Sequence, residues 1–130
     1  MNSFAPALLR RFWLGVGWFG IALLLYLSLT PQPPEIPVVH GDKFGHALAY
    51  AVLMYWLVQL LVSTRQRRWL AAGLIGLGIA IEYVQGWTGL RTFDYFDMLA
   101  DAVGVAFGGM LAAFTPNLIA LVGQPGNRPG

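Results

Sequence analysis

The sequence predicts an all-α polytopic membrane protein, a single domain of 130 residues built as a bundle of four transmembrane helices. Three observations lead there. Hydrophobic residues make up 57% of the chain and charged residues only 11%, against roughly 25% charged in a soluble domain. Four apolar stretches are separated by breaks rich in proline, glycine or arginine. The charges are also sorted: Glu35, Asp42, Glu82, Asp94, Asp97 and Asp101 fall at one end of these stretches, and Arg10, Arg11, Arg65, Arg67, Arg68 and Arg128 at the other.

The first span covers residues 12–30, behind Arg10 and Arg11, and is about long enough to cross ~30 Å of hydrocarbon at ~1.5 Å per residue. It outruns the apolar core of a signal peptide and ends in Ser28-Leu29-Thr30-Pro31 without a small-residue cleavage site. Residues 31–41 hold Pro31, Pro33, Pro34 and Pro37, which remove backbone donors and make this an extended loop. The second span covers 43–63 and stops before Arg65, Arg67 and Arg68; the third covers 69–86. Gly73, Gly76 and Gly78 lower the intrinsic helicity of the third span but allow a neighbouring backbone to come close. The fourth covers 95–115, with Pro116 marking a kink or an end, and residues 123–130 form a flexible tail.

Only Lys43 and Arg91 are basic at the acidic end, so the excess of arginine at the other end places both termini in the cytoplasm. Trp13 and Trp69 then mark the inner interface, and Tyr83, Trp87 and Tyr95 the outer one. The formal charge of +2 resides in flanks of apolar runs, which argues against nucleic acid as a partner. The absence of cysteine closes thiol and disulfide chemistry. No zinc, calcium, Walker or nucleophile-elbow motif occurs, so neither cofactor nor metal is expected.

The chemistry concentrates at the outer ends. Asp42, His46 and Tyr50 are spaced by four and share one stripe, with Lys43 beside them. Taken alone, that stripe reads as an Asp N-cap with a histidine satisfied one turn later. Glu82 and Gln85 share a face of the third span, continued one turn deeper by Gly78. Asp94, Asp97, Asp101, Gly104 and Gly108 form one stripe on the fourth, acidic above and small below, with Arg91 just before it. The Gly104 and Gly108 pair reads as a packing surface. Carboxylates on one face repel each other, so they need cations or protons, and Lys43, Arg91 and His46 are placed to help. Two readings follow: an outward-facing pocket, with Lys43 and Arg91 holding an anion, or an ion-paired network that only fixes packing.

In order, Ser28-Leu29-x-Pro31-x-Pro33, Asp42-Lys43-x-x-His46-x-x-x-Tyr50, Glu82-x-x-Gln85 and Arg91-x-x-Asp94-x-x-Asp97-x-x-x-Asp101-x-x-Gly104 resemble the VanZ-like family of small bacterial membrane proteins. The resemblance covers residues 28–110, with one departure, an Asp101 where many members carry Asn. It implies a multi-span protein of the bacterial cytoplasmic (inner) membrane and a link to resistance against the glycopeptide teicoplanin, without an established reaction. Together the residues and the resemblance give three expectations. The first is a membrane protein binding an anionic lipid or lipid-linked envelope-precursor headgroup. The second is an enzyme acting on such a headgroup, with His46 and one of Glu82, Asp97 or Asp101 as acid and base. The third is a structural subunit, and a homo-oligomer stays open in all of them.

Overall fold

A computed structural model describes residues 4–30, 37, 39, 41–89 and 91–123. Every regular element among them is an α-helix: α1 (Phe4–Leu29), α2 (Gly41–Val58), α3 (Thr64–Thr88), α4 (Tyr95–Phe114) and the short α5 (Leu118–Gly123). The expected Pro-rich loop falls almost entirely outside the described residues, as does the expected tail apart from Gly123.

Three of these helices are long and apolar enough to cross a membrane: α1 from Pro6 to Leu29, α3 and α4. Their outer faces leave large apolar side chains such as Phe19, Trp87, Phe107 and Phe114 exposed, as surfaces turned to lipid are. α2 falls short of that criterion because Asp42, Lys43 and His46 occupy its first two turns.

The helix limits differ from the expected spans in an instructive way. α1 starts at Phe4, not residue 12, and α3 at Thr64, not residue 69. Arginine is a good helix former, so a basic cluster ends a hydrophobic run without ending the helix. Ser63 marks the true start of α3: its backbone is extended and its Oγ accepts from Gln66 N–H at 3.1 Å, the N-cap arrangement. α2 ends at Val58 instead of Ser63, and α3 runs on to Thr88, where Gly89 takes the left-handed conformation (φ 72°) that closes a helix.

The closest helix pair is α2 with α4. A Cβ at Gly104 would collide with the backbone carbonyl of Ala47, and one at Gly108 with that of Ala51. The small stripe of α4 is therefore a packing surface, as its spacing suggests, and it brings the two backbones together. Val105 and Ala112 of α4, Tyr50, Leu53, Met54 and Val58 of α2, and Leu74 and Ile81 of α3 form the shared core, to which α1 adds Leu24. Because α2 and α4 meet so closely below the acidic turns, whatever stands one turn above the glycines must face α2.

Candidate functional site: a polar cluster at one end of the helices

The stripes of α2, α3 and α4 converge. His46 Nδ1 lies 2.9 Å from Asp101 Oδ1, with Asp101 buried. Gly78 makes room for that carboxylate, since a Cβ there would fall on Asp101 Oδ2. Nearer the helix ends, Lys43 Nζ is ion-paired with Asp94 at 2.9 Å, Asp42 at 3.3 Å and Asp97 at 3.4 Å. Glu82, buried on α3, accepts the backbone N–H of Asp94 at 2.7 Å. Asp94 in turn caps α4 by accepting Phe96 N–H at 2.9 Å. Glu82 thus fixes the entry of α4, and that entry presents Asp94 and Asp97 to Lys43.

Among the described residues, two buried acceptors of this cluster have no hydrogen-bond donor: Asp97 Oδ1 and Gln85 Oε1. Lys43 is near Asp97 Oδ1 but not aligned with it as a donor. Asp94, on the outside of the cluster, has its carboxyl held below the usual aspartate range, first by the Lys43 hydrogen bond and then by the Phe96 N–H. Its contribution to stability is therefore complete above the ordinary aspartate range and is lost as pH falls through the lower folded value. Among the described residues no group of His, Asp and Glu side chains is arranged to hold a metal ion.

Arg91 departs from its expected role. It makes no ion pair with the helix-4 carboxylates; its guanidinium donates to the Leu27 carbonyl at 3.2 Å. Gln85 likewise sends Nε2 to the Ser28 carbonyl. Both carbonyls belong to the last turn of α1, where no intrahelical donor remains and a nearby cation is favourable. Arg91 and Gln85 are thus caps of α1, and Lys43 alone carries the counter-charge expected of Lys43 and Arg91 together. Tyr50, one turn below His46, is buried in the core beneath the cluster.

The opposite end carries a second polar system that the acid and base pattern does not reveal. Gln59, buried just past α2, donates Nε2 to Tyr55 O at 2.9 Å, accepts Leu118 N–H on Oε1 at 2.8 Å, and accepts Asn117 Nδ2 on its own carbonyl at 2.9 Å. Trp13 and Trp56 stack with ring centroids 3.8 Å apart, and each indole N–H donates to the other's carbonyl, at 2.7 and 2.8 Å. Trp13 is therefore a buried clamp between α1 and α2 and not the interfacial residue its position suggests.

No family model and no solved structure matches the chain. It is similar to "Uncharacterized protein C11E3.10" of Schizosaccharomyces pombe, 33% identical over 97 residues, which is 70% of this chain. The chain spans 58% of that relative's length.

Proposed function

We propose that this chain is a VanZ-like bundle of four transmembrane helices in the bacterial cytoplasmic membrane, both termini inside. In this reading its outer polar site binds the headgroup of an anionic lipid or lipid-linked envelope precursor. α2, at 18 residues, covers about 27 Å at ~1.5 Å per residue, close to the ~30 Å of a hydrocarbon core. Cysteines at Thr88 and Gln66 test the orientation. Only the first should react with an impermeant reagent in intact cells, and labelling at Gln66 alone would reverse it.

One observation carries the binding reading: Lys43 stands partly exposed at the edge of the cluster, and beside it the buried Asp97 Oδ1 has no donor. A headgroup matches both. Its phosphate can take the Lys43 N–H that now reaches the exposed Asp42, and its hydroxyl or amide N–H groups can donate to Asp97. The test is binding of a polyprenyl pyrophosphate that carries an N-acetylated sugar, whose hydroxyl and amide groups can donate to Asp97, to the protein in nanodiscs. Lys43→Gln and Asp97→Asn should each weaken it about tenfold or more, and unchanged binding in both would remove the site. Under this reading the teicoplanin link becomes a phenotype to measure with the same two variants.

The His46 to Asp101 contact favours the enzyme as a second reading. A carboxylate on Nδ1 orients the ring and leaves Nε2 as the acceptor in the neutral tautomer, the arrangement of a general base. His46→Gln would then abolish turnover of the bound headgroup while leaving its binding in place.

A further inference from the structure

On the arginine side of the polar cluster, residues of α2, α3 and α4 line an open groove of about 290 Å³. Its floor is apolar and small, with Ile75, Val105, Ala106 and Gly109, and Arg67 and Arg68 line its end. Arg67 Nε is buried there without a hydrogen-bond partner. From Arg67 to Ile75 the groove follows α3 for about 12 Å at ~1.5 Å per residue, with a cationic head and an apolar body in line.

We infer that this groove is a binding site for one anionic phospholipid, its phosphate on Arg67 and Arg68 and an acyl chain lying along Ile75, Ala106 and Gly109. The charge pattern selects this occupant. A second copy of the chain in the same orientation would bring more arginine to this level, since every acid of the sequence outside the undescribed loop lies at the other end of the helices. An anion must therefore come from elsewhere, and a guanidinium pair matches phosphate oxygens. The lining also suits an acyl chain, because Ala106 and Gly109 withdraw side-chain volume where a chain would lie. This site is independent of the outer cluster and of the function proposed for it.

The test is native mass spectrometry of the full-length protein, delipidated in detergent and offered equal amounts of phosphatidylglycerol and phosphatidylcholine with identical acyl chains. The wild type should retain one phosphatidylglycerol with a preference of about tenfold. Arg67→Gln combined with Arg68→Gln should bring the preference close to parity. Ala106→Leu, at an exposed position that tolerates added volume, should lower retention of both lipids, and both effects should persist in a Lys43→Gln background, which removes any phosphatidylglycerol held at the outer cluster. The inference is overturned if the wild type shows no preference, if the arginine variant keeps it, or if Ala106→Leu shifts only the dimer mass, which would make the groove an interface between copies.

Discussion

The two ends of the helices solve the same problem with opposite chemistry. At the arginine end the orphan carbonyls of α2 are met by neutral donors. Gln59 reaches Tyr55, Trp13 reaches Trp56, and the Leu60 and Leu61 N–H groups close on Leu57 and Val58. Gln59 then uses its remaining oxygens to hold Asn117 and Leu118. At the acidic end the orphan carbonyls of α1 are also capped, by Arg91 and Gln85, but the capping groups sit beside charged neighbours, and two buried acceptors are left over. A complete neutral network has nothing left to offer a ligand and serves as a staple. A charged network with unmatched acceptors has capacity left, which is why the acidic end is the candidate site.

The most severe way to break this contrast is to separate α2 from α4, on whose contact the acidic end depends. Gly104→Leu drives a side chain into the Ala47 carbonyl and should cost on the order of 3 kcal/mol or more. Little folded protein should be recovered on size-exclusion chromatography. Next comes Asp101→Ala, which removes the buried partner of the partly buried His46 and should cost up to about 3 kcal/mol, the lower end of the range for breaking a buried pair. Thermal unfolding in detergent reads it, and headgroup binding should fall as well.

Gln59→Leu sharpens the comparison from the other end. It leaves the Leu118 N–H and the Tyr55 carbonyl without their partners and should cost about 1–3 kcal/mol, with headgroup binding unchanged. The smallest effect belongs to Arg91→Lys. The guanidinium has one carbonyl partner and no carboxylate fork, so an ammonium can keep a single hydrogen bond and the change should stay under about 1 kcal/mol. A large loss would mean that Arg91 makes the bidentate contact that the sequence suggests.

What the sequence discloses and what it conceals follows from the kind of partner each residue has. The stripe from Asp94 to Gly108 is legible because both its acidic and its small halves must leave lipid, and one helix face can satisfy both only by turning to a neighbour. His46 and Lys43 are legible for the same reason, as the hydrogen-bond donors within reach of that face. Arg91, Gln85, Gln59 and Trp13 are not, because their partners are backbone carbonyls. Every residue has one, so no pattern in the side chains points to it. The ends of α1 and α3 were hidden by a different ambiguity, since hydropathy reports where lipid stops while the helix continues through arginine.

The central claim, that the acidic cluster is a ligand site and the Gln59 network a staple, is tested most directly by measuring binding of the sugar-bearing polyprenyl pyrophosphate and thermal stability together in Asp97→Asn and Gln59→Leu. Asp97→Asn should lose binding about tenfold while its midpoint stays within about 4 °C of wild type. Gln59→Leu should show the reverse, a lowered midpoint with full binding. If both variants lose stability and neither loses binding, the acidic cluster is packing and nothing more.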